Sequence, residues 1–250
     1  MIGGINQLIS AGGGGSGPAR YSVRLFTGTY DVTLTTPFGS TLAALPPDAD
    51  TPLGGPLVVD GDRTLDYDLR VATVTGALTL EGAAVPDSPG LTSRGTITFQ
   101  DRVTSDTTSY AVGATGPGSY SVRLFAGSYN VRFATATGGS LQRLPPGART
   151  PLAIGVIVGG DRTLDYDLRL YTVTGSLTLG GAALPDSPGG VTRGTVSFHN
   201  RAGDGGDGGS SVVSGTGPAR YSARLFAGTY NVTWTATPTQ GAQLWIVAVQ

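Results

Sequence analysis

The sequence predicts an all-β fold: tandem Greek-key β-sandwich modules of about 100 residues, with incomplete modules at both ends. Three observations predict it. The chain is written almost twice, since Tyr21–Arg70 aligns with Tyr120–Arg169 at a constant offset of 99 and about 30 of those 50 positions are identical. A unit copied in tandem at such a period is a repeated structural module. Within each copy, short runs alternate apolar and polar residues, the period-2 signature of a half-buried strand. Gly (41 residues) and Pro (16 residues) fall between these runs, so turns separate many short strands and no helix is demanded.

The copy at 71–169 is complete and supplies the element order. VTGALTL, from Val74, sets Thr75 and Thr79 on one side and Val74, Leu78 and Leu80 largely on the other. EGAAVPDSPG then breaks the strand. RGTITFQD (94–101) is a second strand with Ile97 and Phe99 on one face, and SYAVGA (109–114) is a third, after the polar loop RVTSDTT. Beyond the GPGS turn, SYSVRLFAGSYNVRF reads as a hairpin whose arms turn Tyr120, Val122 and Leu124, then Tyr129, Val131 and Phe133, inward. LPPGARTPL is a proline-rich crossing that cannot join a central ladder, because Pro lacks the N–H. GVIVGG and RTLDYDLR close the module, with Leu164, Tyr166 and Leu168 on one face and Asp165, Asp167 and Arg169 on the other. The period divides the chain into an N-terminal strand and Gly-rich linker (1–16), a partial module (17–70), the complete module (71–169) and a C-terminal module with a divergent last strand (170–250).

The order V-T-G-x-L-T-L-x-G, then Y-x-V-x-L-x-x-G-x-Y-x-V, then x-L-x-Y-x-L resembles the carboxypeptidase regulatory-like modules. These belong to the transthyretin-like (prealbumin-like) sandwiches, which also include the collagen-adhesin B-type stalk domains. The resemblance covers the complete module and both partial ones, and L-x-x-G-x-Y is its most specific element. It implies an accessory, stalk or adhesive role in a secreted or cell-surface protein, without catalysis. Stalk domains of the adhesin type often lock themselves with a Lys–Asn isopeptide bond. This chain departs from that pattern: all sixteen basic residues are Arg, and there is no Lys to form the bond.

Composition and charge exclude several classes. Net charge is −1 with Arg and Asp interleaved, so no basic stripe exists to neutralise nucleic-acid phosphates. No apolar run approaches the length of a membrane-spanning helix, so membrane insertion is not expected. Without Cys there is neither a disulfide framework nor thiolate chemistry, and without Lys neither a Schiff base nor a P-loop. MIGGINQLISAGGGGSG has no cationic start and no long apolar core, and so does not read as a signal peptide.

No catalytic, metal or cofactor site is expected. His199 is the single histidine and occupies the position of Gln100 in the preceding copy, so a triad hung on it would exist once only, and zinc lacks ligands. The pairs Asp66–Asp68 and Asp165–Asp167 have same-face spacing that could hold calcium or form a catalytic dyad. Alternation instead sets them on a solvent face beside Arg residues, with no cleft. Asp204 and Asp207, in RAGDGGDGGSS, read as a hairpin tip. The three L-x-x-G-x-Y elements (Leu25–Tyr30, Leu124–Tyr129, Leu225–Tyr230) read as tyrosine corners rather than a ligand platform. Trp234 takes the slot of Leu34 and Phe133, which marks it as core.

The frame breaks at the ends. The repeat is entered at Tyr21, without the VTG, RGT and SYAV strands, and left after Trp234, without the LPPG crossing or the DRTLDYDL strand. Local substitutes could fill the gaps, the chain could be a segment of a longer array, or the ends could complement one another between subunits. Leu244, Trp245, Ile246, Val247 and Val249 are apolar on both strand faces, as an inserted strand would be, and are the expected assembly interface. The functional expectation is a non-enzymatic fibre subunit or surface stalk/adhesin segment, extracellular or on a bacterial surface. Its partner is another copy of itself, head to tail. The alternative is a carbohydrate-binding or accessory module of a secreted bacterial hydrolase, with a polysaccharide partner. That alternative calls for exposed coplanar aromatics, and only Phe26, Phe125 and Phe226 lie out of the inward phase.

Overall fold

The computed structural model describes residues 20–37, 44–137, 141, 143–201 and 207–237. Strands dominate, no α-helix occurs among the described residues, and the sheets stack as sandwiches without closing into a barrel. Two compact units divide the chain: Met1–Leu34 with Thr51–Asp68, and Thr35–Asp50 with Leu69–Gln250. In the first, β1 (Gly28–Tyr30) pairs antiparallel with β4 (Leu57–Val59), Gly28 opposite Val59. The other strands of this partial module, β2 (Thr33–Thr35) and β3 (Asp50–Pro52), are equally short.

The complete module, in the second unit, is a two-sheet sandwich. One sheet has the order β11 (Arg149–Val158), β10 (Gly127–Thr135), β7 (Ser93–Asp101), β8 (Thr107–Gly113), all antiparallel. The other is built on β5 (Val71–Leu80), which pairs antiparallel with β9 (Ser119–Phe125) and with the short β6 (Ala83–Ala84). On its far side β5 takes β12 (Arg162–Thr163) and β13 (Tyr166–Leu168) as parallel partners. Strand alternation turns Val74, Leu78 and Leu80 of one sheet onto Ile97, Phe99, Val131 and Phe133 of the other, with Tyr120, Val122, Leu124 and Leu168 completing the core. Burying each such side chain stabilises the fold by about 1.5–3 kcal/mol.

One sequence expectation needs correction here. The expected hairpin at 119–133 does not form. β9 and β10 lie in opposite sheets, β9 on β5 and β10 on β7, so the segment is a corner crossing the sandwich. Both arms still face inward, because the core lies between the two sheets. The proline-rich crossing stays out of the sheet's centre, its last residues from Arg149 opening the edge strand β11, which includes Pro151. Pro is tolerated there because β11 is an edge strand whose other side makes no ladder among the described residues.

The third module repeats the plan in part. β13 runs into β14 (Leu170–Ser176) across Arg169 alone, and β14 pairs with β19 (Arg220–Phe226), Val173 opposite Ala223. β15 (Thr178–Leu179) and β16 (Ala182–Ala183) form a small antiparallel pair, followed by a 3₁₀ turn at Pro188–Gly190. The second sheet has three strands, with β17 (Gly194–Asn200) between β18 (Asp207–Val213) and β20 (Tyr230–Ala236). Its core is smaller: Val196, Phe198, Val213, Ala219, Ala223 and Leu225.

A buried arginine clasp holds each sandwich, and it explains the recurring R-G-T. Arg94 is fully buried. Its Nε donates to Gly113 O (2.6 Å), one terminal nitrogen to Val85 O (2.6 Å) and the other to Pro117 O (3.4 Å). Arg193 repeats this on Ser214 O (2.6 Å), Leu184 O (3.0 Å) and Gly217 O (2.8 Å). Asp87 and Asp186, in the two PDSPG loops, lie 3.6 and 3.4 Å from these guanidiniums and accept the N–H of Gly116 and Gly217. Only a guanidinium offers donors spread widely enough to reach three separate backbone segments, so the clasp requires Arg rather than Lys. Gly95, next along, leaves no room for a Cβ because the Phe133 ring lies against it: an added methyl would overlap that ring and Ala134 O.

Candidate functional site

The L-x-x-G-x-Y elements are tyrosine corners in all three modules. Tyr30, Tyr129 and Tyr230 each donate the phenolic O–H to the carbonyl four residues earlier, on Phe26 (2.9 Å), Phe125 (2.8 Å) and Phe226 (2.8 Å). Burial raises the Tyr129 and Tyr230 hydroxyls above their ordinary value, which keeps them neutral donors. These residues brace the crossing and present no platform to a ligand.

The carboxylate row of the last strand is also structural. Asp161 Oδ1 accepts Thr73 N–H (2.7 Å), Asp165 Oδ1 accepts Ala77 N–H (2.8 Å), and Asp167 Oδ1 accepts Gly82 N–H and Thr79 Oγ1–H (both 2.8 Å). These bonds, ahead of Arg169, hold Asp167 below its usual pKa. The side chains thus replace ladder bonds between β5 and its parallel partners. Tyr120 adds a further tie, donating its hydroxyl to Leu164 O. Among the described residues no group of three or more His, Asp or Glu converges on a metal-holding geometry. Asp204 lies outside the described residues.

The surface with most to do is the joint between successive modules. Phe226 belongs to β19, yet only 2% of it is exposed, and it packs in the core of the preceding module. It stands edge-on to Phe133, with ring centroids 6.5 Å apart and planes at 78°. Such a pair is worth about 0.5–1.5 kcal/mol beyond area burial. Around it, Ala227 N–H donates to Arg169 O (3.0 Å) and the Asn200 amide to Arg149 O (3.3 Å). The backbone bond recurs one period earlier, Ala126 N–H to Arg70 O (2.8 Å). Phe226 is therefore a joint residue, which periodicity alone did not reveal. Phe125 is buried like Phe226, whereas their counterpart Phe26 is 79% exposed.

At the other end, Trp234 corrects the core expectation. It occupies the slot of Phe133 on β20 but is 38% exposed, and Val232 is 57% exposed where its counterpart Val131 is 1%. In the complete module β11 and the crossing residues Leu141, Leu144 and Ala148 complete the core around that slot. Among the described residues no strand flanks β20 on that side. Leu244, Trp245, Ile246, Val247 and Val249, the expected interface, lie outside the described residues.

No protein-family model matches the chain, and no curated protein matches it. Among solved structures it is similar to a DUF3823 family protein from Parabacteroides merdae, at 17% identity and a TM-score of 0.29, covering 64% of this chain and 83% of that one. A candidate carbohydrate binding protein from Bacteroides uniformis matches at 16% identity and a TM-score of 0.27, covering 62% and 79%. The Bacillus anthracis TIE protein matches at 14% identity and a TM-score of 0.25, covering 76% and 31%. Likeness at these scores carries no functional argument.

Proposed function

We propose that the chain is a non-enzymatic structural repeat protein of the transthyretin-like kind, a stalk segment or fibre subunit working outside the cell, whose incomplete end modules are completed by another copy. One observation carries this reading: the terminal modules expose residues whose counterparts are buried inside the chain, Phe26 against Phe226 at one end and Val232 and Trp234 against Val131 and Phe133 at the other. A second supports it. Asp161 and Asp165 accept N–H groups of β5 and Asp167 accepts the Thr79 hydroxyl of β5 and the Gly82 N–H, while their counterparts Asp62, Asp66 and Asp68 stand in a unit whose described residues include no strand equivalent to β5. An incoming strand would find a row of acceptors already in place. Leu244–Val249 of a second copy, apolar on both faces, has the character of such a strand. A joint of this type is heterologous and extends into a fibre unless it closes into a ring.

Light scattering across a dilution series, with negative-stain microscopy of the same sample, tests the proposal. End-to-end polymers that vanish on deleting Gln243–Gln250 are expected. A monomer at every concentration overturns assembly by strand complementation.

A further inference from the structure

Beside the joint, the proline-rich crossing of the complete module and strands β17, β18 and β19 of the next enclose a cleft of about 780 Å³. Two arginines line it, Arg149 at the start of β11 and Arg224 on β19, together with His199 of β17. The hydroxyl-bearing residues Thr195, Ser197, Ser210 and Ser222 share its walls. No Asp or Glu lines it among the described residues, and neither Arg149 nor Arg224 enters an ion pair there. The positive field reaches Arg132 on β10, whose guanidinium is held below its usual pKa by burial first and by Arg149 second.

The repeat sharpens this observation. In the first copy the crossing reads LPPDAD, with Asp48 and Asp50 where the second has Gly147 and Arg149. The position of Arg224 is Arg123 in the copy before. In sequence, the earlier copies carry an acid and a base at this pair of positions, where the later copies carry two bases. Like charges set around one cleft repel unless an anion lies between them.

We propose that this cleft binds a uronic-acid-bearing saccharide, the Arg149 and Arg224 guanidiniums taking the carboxylate and the serine and threonine hydroxyls taking the sugar hydroxyls. A guanidinium fork matches a planar carboxylate bidentately. Hydroxyl side chains both donate and accept, as sugar hydroxyls require of a partner. A nucleic acid would need a longer basic track. The proposal does not depend on polymerisation, because both walls belong to one chain.

Calorimetric titration of the full chain with trigalacturonate, with neutral galactotriose and a triglutamate peptide as comparators, tests it. Saturable trigalacturonate binding is expected, weakened about tenfold or more by raising salt or by Arg149→Asp, with galactotriose at least about tenfold weaker. Arg149→Asp installs the residue that the first copy carries, and the bond from Asn200 uses the backbone carbonyl, so the thermal melt should not move. If it does move, Arg224→Ser serves as the second variant and should lose binding to the same extent. Absence of binding, unchanged binding in the variants, or equal binding of galactotriose overturns the proposal. Tighter binding of triglutamate overturns the saccharide assignment in favour of an acidic peptide.

Discussion

β10 and β20 are the same strand in two copies, yet they meet opposite environments. Both pair with the R-G-T strand of their module, and both follow a tyrosine corner. β10 has β11 on its other edge and the proline-rich crossing over its end, and Val131 and Phe133 are buried. β20 has neither among the described residues, and Val232 and Trp234 are exposed. The difference lies outside the strand. A residue's identity proposes that it belongs in a core, and a distant segment decides whether there is one.

The largest expected effect tests that contrast directly. Phe133→Ala should cost about 3–5 kcal/mol in urea unfolding, as for a large aromatic removed from a closed core. Trp234→Ala should cost less, since 38% of the residue is already exposed. Equal losses would break the comparison and place a covering segment on β20 within the monomer.

The clasp comes next. Arg94→Lys should destabilise by about 3 kcal/mol, because an ammonium cannot reach three carbonyls and remains buried. Arg193→Lys should behave alike, since it too holds three backbone carbonyls, two of them the counterparts of Arg94's. A smaller loss there would show that the third module is not a closed sandwich.

Smaller still, Tyr129→Phe removes one hydrogen bond to Phe125 O and should cost about 1 kcal/mol. Burial, ahead of the Asp101 and Asp106 charges, raises the Tyr129 hydroxyl well above its ordinary value of 10.0. The folded state therefore holds this proton more tightly than the unfolded chain. Its contribution is fully present below pH 10 and is lost as pH rises from there through the folded value. Urea midpoints measured up the alkaline limb should fall, and fall less steeply in Tyr129→Phe. The smallest effect expected is none: calcium or a chelator should leave the melting temperature unmoved, because Asp165 and Asp167 already accept backbone N–H bonds. A calcium-dependent rise would return those carboxylates to the metal-ligand reading.

Much of the fold was legible in the residues. Alternation placed Tyr120, Val122, Leu124, Tyr129, Val131 and Phe133 inward, and L-x-x-G-x-Y announced the corners, because both signals are local: a period of two and a four-residue reach. What escaped is long-range. The same segment reads as a hairpin or as a corner until the pairing partners of β9 and β10 are known. Arg94 looks like any strand-terminal arginine until three loops converge on it, although its recurrence beside PDSPG and TGP was an available sign. Phe226 alternates out of phase with its own core because its partner, Phe133, belongs to the module before.

By itself, then, the sequence determined the module, its period, the order of its strands and the side each residue presents, since these follow from backbone geometry and from neighbours a few positions away. The tertiary structure alone decided which sheet each strand joined, which arginine became a clasp and which of three equivalent phenylalanines stands in water. Burial is a property of what packs against a side chain, and for Phe26, Phe125 and Phe226 the side chain is the same while the neighbours differ.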